Sequence, residues 1–155
     1  MPRAFRLLKE KWAGVPLSGE GARTIGGRWN LPGTACVYTA STPELTVLEA
    51  FVHVGSDGAA IRWALVTIDI PDDVVHIPAK GSLPSDWVDT PVSPSSQKYG
   101  TDFAASGIAA VLAVPSVIMP DSSNYILFCT HSDFSRINVI DTGSYSFDPR
   151  MWKTP

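Results

Sequence analysis

Along residues 61–70, "IRWALVTIDI", Ala64, Val66, Ile68 and Ile70 recur at every second position and make one apolar face. A period of two predicts a strand with one side in the core. Shorter apolar runs read as further strands: "ACVYTA" at 35–40, "VVHI", "AAVLAV", "SVIM", "NYILFC" and "RINVID". "PDSS" is the turn between "SVIM" and "NYILFC". A second period governs "STPELTVLEAFVHVG". Ser41 with Glu44 forms a capping box, Pro43 suits the first turn and Gly55 suits the stop, so the spacing predicts a helix over 42–54. A shorter helix is expected over 96–106, and Phe5, Leu8 and Trp12 fall at helical spacing near the start. Two stretches lack either period: residues 18–34, with five of the chain's twelve glycines, and the Pro- and Ser-rich 78–96. Long irregular connections in small domains are often functional. "SFDPRMW" closes the chain. Strands and helices alternate without βαβ regularity. This predicts an α+β fold, a mixed or antiparallel β core flanked by short helices, in one domain over 1–155.

Composition narrows the classes of partner. The chain is 45% apolar and 17% charged, which is globular. Its net charge is −3, and its five lysines and seven arginines are scattered rather than striped, so no direct nucleic-acid role is expected. "MPRAFRLLKEKWA" is charged throughout, unlike a signal peptide. "GIAAVLAVPSVIMP" is too short and too interrupted to span a bilayer. A cytoplasmic protein without membrane contact is expected. Cys36 and Cys129 lie in apolar runs and read as buried free thiols rather than as a bridge.

Few residues carry chemistry. Arg28 follows Gly26 and Gly27, and a guanidinium on such a loop suits phosphate or carboxylate recognition. The loop is neither a dinucleotide fingerprint nor a P-loop, because no G-x-G-x-x-G enters a helix and no G-K-[ST] follows. Glu49 falls on or beside the helix face marked by Leu45, Leu48 and Val52. A carboxylate there loses hydration unless it is paired or used. Tyr38, in the preceding strand, offers a flat face and one hydroxyl. Ser116 lies in "AVPSVIMP" without the G-x-S-x-G elbow of a hydrolase. His53, His76 and His131 match no zinc spacing, so no metal is expected. Unaided, these residues indicate an α+β domain with an anion pocket.

The blocks "LSGEGARTIGGRWNLPGTACVYTASTPELTVLEAFVH", "LPSDW", "VPSVIMPDSSNYIL", "HSDF" and "FDPRMW" resemble the RES domain family in order and spacing, from residue 17 to 152. Its members are bacterial toxins paired with Xre-like antitoxins. The resemblance implies an ADP-ribosyltransferase-like fold and NAD+ as substrate. The family's arginine, glutamate and serine fall on Arg28, Glu49 and Ser116, with Ser123 as the second choice of serine. Its pocket tyrosine falls on Tyr38, and Gly27, Trp29, Asn30 and Asn124 are expected to contact the dinucleotide. Where the family often has Asn-Pro after the last strand block, this chain has Phe128-Cys129. The implied reaction breaks the N-glycosidic bond of NAD+ and passes ADP-ribose to a protein. Transfer to water or phosphate, which depletes NAD+, is the alternative, and a non-catalytic nucleotide-binding module is the second. The nicotinamide leaves uncharged, so the site needs charge stabilisation at the ribose rather than an acid. Glu49 suits that role, Arg28 the pyrophosphate, Tyr38 a stack on the cationic ring, and Ser116 the carboxamide. An antitoxin that blocks the site implies a hetero-oligomer, with 78–96 a candidate for that contact or for target recognition.

Overall fold

The structure, a computed structural model, describes residues 2–153; Met1, Thr154 and Pro155, the ends of the expected domain, lie outside the described residues. Seven strands form one mixed sheet: β1 (Arg3–Lys9), β2 (Cys36–Ala40), β3 (Trp63–Asp69), β4 (Val75–His76), β5 (Val111–Pro115), β6 (Ser123–Phe128) and β7 (Asn138–Tyr145). Their spatial order is β4-β5-β6-β2-β1-β3-β7, and every pair is antiparallel except β4 with β5. Three helices complete the fold: α1 (Glu20–Ile25), α2 (Pro43–Phe51) and α3 (Pro94–Ser106). This is the expected α+β class.

Several local expectations are corrected. The N-terminal residues are a strand, not a helix. Ala4 and Leu8 are buried on one face, β1 pairs with β3 over seven positions, and Trp12 is left 55% exposed. The two-residue period wins because a long partner strand is present. Residues 20–25 of the glycine-rich stretch form a helical turn and a half, with Arg23 bonded to Glu20. Helix α2 is capped by Thr42, whose Oγ1 accepts from Leu45 N at 3.1 Å. Ser41 instead accepts from Ser123 N at 3.2 Å and ties the helix entrance to β6. The helix stops at Phe51, so Val52 is 58% exposed and the inward face is Leu45 and Thr46. "SVIM" is a turn: Ser116 Oγ accepts from Ile118 N at 3.1 Å and Met119 N at 3.2 Å, which curls the backbone out of the sheet.

The sheet is nearly split in two. β2 pairs with β6 over five positions, but β1 and β2 meet at one pair, Phe5 with Ala40. Side chains fill the gap. Leu7 N donates to Thr46 Oγ1 of α2 at 3.1 Å, and Arg6 Nη1 donates to the carbonyl of Tyr38 at 3.1 Å. Strict alternation then divides the core. On one side, Ala4, Leu8, Val37, Val66, Ile68, Val111 and Leu127 pack together. On the other, Cys36, Leu112, Val114, Ile126 and Phe128 pack against Trp29 and against Phe103 of α3. Cys36 and Cys129 are free thiols, as expected, and burial pushes them up to about 12 and about 11. Among the described residues, no helix is long and apolar enough to cross a membrane.

Candidate functional site

The second sheet face carries the candidate chemistry. Tyr38 lies opposite Ile126, and Ala40 opposite Asn124, so Tyr38 and Asn124 project on the same side. Asn124 is also paired with Val114, two residues before Ser116. Three adjacent strands thus present Tyr38, Asn124 and the approach to Ser116 on one face.

The loop bearing Arg28 is fastened to this face. Gly26 has φ +84°, a backbone state that costs other residues far more than glycine. Gly27 and Asn30 then pair, Gly27 N donating to Asn30 O at 3.0 Å, with Arg28 and Trp29 at the corner. Tyr38 Oη accepts from Trp29 N at 2.9 Å and donates to Asn30 Oδ1 at 2.7 Å. Asn30, fully buried, spends its amide hydrogens on the carbonyls of Ala22, Leu31 and Thr34. Gly27 lies so close to the ring that a Cβ there would stand 2.6 Å from Tyr38 Oη. Burial raises the Tyr38 hydroxyl well above the usual tyrosine range, so it stays protonated as the donor to Asn30. Trp29 is 2% exposed and fills the core between Trp87, stacked at 6.1 Å between centroids, and Tyr99, edge-on at 5.8 Å.

These contacts change the roles expected of three loop residues. Gly27, Trp29 and Asn30 hold the loop to Tyr38 and the core, and neither buried side chain has a surface to offer a dinucleotide. Arg28 is the side chain the corner presents. Its Nη1 donates to the carbonyls of Trp87 and Asp89, both at 2.8 Å, and so braces the 78–96 segment. Its Nε and Nη2 have no hydrogen-bond partner among the described residues.

Glu49 stands half-buried on the helix that follows β2. Ser116 Oγ donates to Glu49 Oε1 at 2.9 Å. Ser116 is completely buried, and its hydroxyl also accepts the two backbone bonds of the turn. One donor and two lone pairs are then all in use. Ser116 therefore orients the carboxylate and has nothing left for a nicotinamide carboxamide, contrary to the expectation for it. Ser123 meets Ser41 through its backbone, and among the described residues the hydrogen bond to Glu49 comes from Ser116. Asn124 Nδ2 donates to the carbonyl of Thr39 at 3.2 Å.

A groove of about 1040 Å³ lies between residues 77–87 and the ends of β5 and β6, where Ala113, Pro115, Ser123 and Tyr125 line it. Trp87 and Pro115 line it, each adjacent to a tether of Arg28 or Glu49, but Arg28, Tyr38, Glu49 and Ser116 do not. Among the described residues, no three His, Cys, Asp or Glu side chains gather as a metal site. Arg6, Thr46 and the carbonyls of Trp87 and Asp89 were not legible as site components. Arg6 carried the one usable signal, a charge on the apolar side of β1 between Ala4 and Leu8.

Comparison with known proteins follows the same outline. The RES domain profile matches residues 3–148. The Prs ADP-ribosylating toxin of Sphingobium sp. (strain YBL2) is 39% identical over 138 residues, 87% of this chain and 86% of that protein. Toxin Res of Photorhabdus laumondii is 36% identical over 150 residues, 96% of each chain. Toxin Res of Yersinia enterocolitica is 30% identical over 148 residues, 95% of this chain and 97% of the other. A chain in the crystal structure of the M. tuberculosis MbcT–MbcA toxin–antitoxin complex superposes with a TM-score of 0.76 and 18% identity, over 96% of this chain and 85% of that one. That likeness shows the fold.

Proposed function

The chain belongs to the RES domain family, and on that premise we propose that it is the toxin of a toxin–antitoxin pair, an enzyme that takes NAD+ as substrate and transfers ADP-ribose to a protein. The observation that carries this reading is the Glu49 carboxylate, oriented by a fully buried serine on the side of the sheet to which the Arg28 loop is also bound. The relative named an ADP-ribosylating toxin supports it.

The roles follow from charge. Breaking the bond between the ribose C1′ and the pyridinium nitrogen sends the electron pair to nitrogen. Nicotinamide leaves neutral and the ribose becomes oxocarbenium-like. Glu49 stabilises that cation and accepts a hydrogen bond from a ribose hydroxyl, which strengthens as positive charge develops. An incoming nucleophile adds at C1′ and loses its proton to Glu49 or solvent. The free donors of Arg28 meet the pyrophosphate, since a guanidinium presents a planar fork to such oxygens. Tyr38 sets the loop through its hydroxyl and offers the pyridinium the remainder of its ring. The partner expected to silence the site is an Xre-like antitoxin.

The test is nicotinamide release by the antitoxin-free toxin, with ADP-ribose-labelled NAD+ in a cell lysate. Wild type releases nicotinamide, and Glu49→Gln lowers the rate by about 10²–10³. A discrete labelled protein band marks transfer. Label confined to ADP-ribose or its phosphate moves the reading to NAD+ depletion. Equal rates in both proteins overturn the reading.

A further inference from the structure

Two residues of α2 are buried: Leu45, which is apolar, and Thr46, which is not. A buried helix position is best served by an apolar side chain of high helix propensity, and threonine is neither. A hydroxyl buried there has to find a partner. Thr46 Oγ1 accepts its bond from outside the helix, from Leu7 N of β1 at 3.1 Å and 39 residues away in sequence. Local rules are broken in this way mostly where function requires it.

The place of that bond says what it does. The sheet is split between β2 and β1, which share the one pair Phe5 with Ala40. Two residues past that pair, Leu7 N finds its acceptor on α2 and not on β2. The Thr46 hydroxyl thus stands where a strand carbonyl would, and it fixes α2 to the half-sheet of β1, β3 and β7. Glu49 comes three residues later, nearly one turn along the same side of the helix. Its carboxylate is held from the opposite half. Ser116 Oγ donates to Glu49 Oε1 at 2.9 Å, and Ser116 N donates to Ser122 O at 2.9 Å where β5 and β6 run out. Glu49 therefore spans the split, its helix tied to one half-sheet through Thr46 and its carboxylate to the other through Ser116. Resting on the functional reading above, we propose that Thr46 is a positioning residue for the reaction. Its bond to Leu7 sets the turn of α2 that carries Glu49, and so the point at which the carboxylate meets the ribose cation.

Thr46→Val and Thr46→Ser in the full chain test this. Valine keeps the shape and loses the acceptor; serine keeps the acceptor and loses a methyl. Three quantities are read: the thermal midpoint, kcat and KM for NAD+ by nicotinamide release, and the carboxyl-carbon resonance of Glu49. Thr46→Val melts about 3–10 °C below wild type, because the Leu7 amide is left buried without an acceptor. At a temperature where it is fully folded, its kcat falls roughly 10- to 100-fold with KM within about threefold, the signature of a misplaced carboxylate. Its Glu49 resonance moves. Thr46→Ser keeps the wild-type resonance and a kcat within about threefold of wild type, since the hydroxyl is retained. In a Glu49→Gln background, Thr46→Val changes the rate by less than about twofold, because its effect passes through the carboxylate. Wild-type kcat and resonance in folded Thr46→Val overturn the proposal. So does an equal loss in Thr46→Ser, or an undiminished loss in the Glu49→Gln background. Thr46→Ala is read in the same way if Thr46→Val does not fold, and loss of the fold in both overturns the proposal, since the hydroxyl is then structural. If wild type itself spares NAD+, the functional reading fails, while the Glu49 resonance still judges Thr46.

Discussion

Replacing Ser116 by alanine isolates the orientation of Glu49. The substitution deletes one oxygen that donates to Glu49 Oε1 and accepts from two backbone amides. Hydrogen bonds to charged groups contribute about 1.5–3 kcal/mol. If that energy holds the carboxylate where the ribose cation forms, its loss appears in the barrier at about 1.36 kcal/mol per factor of ten. The expected fall in kcat/KM is therefore about 10- to 150-fold, short of removing the carboxylate itself. The stability cost is separate. Ile118 is half-buried and Met119 is 47% exposed, so water replaces part of what their amides lose, and about 1–2 kcal/mol is expected by urea denaturation. Nicotinamide release is measured for wild type, Ser116→Ala, Glu49→Gln and the double variant. In the Glu49→Gln background the serine change should alter the rate less than about twofold, because its effect passes through the carboxylate. Wild-type kcat/KM in folded Ser116→Ala, or an equal serine effect with and without Glu49, refutes the reasoning.

Three further outcomes follow from the contacts around the loop and strands. Gly27→Ala places a methyl 2.6 Å from Tyr38 Oη and 2.8 Å from Cζ, which displaces the loop; a loss of about 1–3 kcal/mol in urea is expected, and an unchanged midpoint contradicts it. Arg28→Lys keeps the charge but shifts the donor away from the place where Nη1 meets the carbonyls of Trp87 and Asp89, and removes the fork left free for phosphate, so exchange of the 86–90 amides should quicken and ADP-ribose binding weaken about tenfold or more by calorimetry. The thiols give a pH signature. Folded-state values of about 12 for Cys36 and about 11 for Cys129 exceed those of exposed thiols, so the neutral forms stabilise the fold below about pH 8.5. That contribution is lost as pH rises through the folded values, and Cys36→Ala should flatten the decline in thermal midpoint above about pH 9.

Most of the elements were legible because they rest on local patterns. Alternation at 64, 66, 68 and 70 marked β3, and the apolar runs marked β2, β5 and β6. The helix over 42–54 was legible in type, though its cap moved to Thr42 and its end to Phe51. The first strand was misread because Phe5, Leu8 and Trp12 fit a helical spacing, and only the seven-pair match with β3 puts Ala4 and Leu8 together on one buried face. "SVIM" was misread because a buried hydroxyl, not hydrophobicity, sets its backbone.

The same division runs through the site. Residue types and order determined which groups are present: a guanidinium after two glycines, a tyrosine before a helix, a carboxylate on that helix, and the family resemblance on which the proposed substrate rests. Tertiary structure decided what each is free to do. It closed Trp29 and Asn30 into the core, spent the hydroxyl of Ser116 on Glu49, and left two faces of the Arg28 guanidinium open. It also set Arg6 in the gap between two half-sheets, with Nη1 on the carbonyl of Tyr38. Hydrogen-bond capacity is a property of each side chain, but its use depends on partners 8 to 67 residues away in sequence. Such pairings exist only once the strands have found their neighbours.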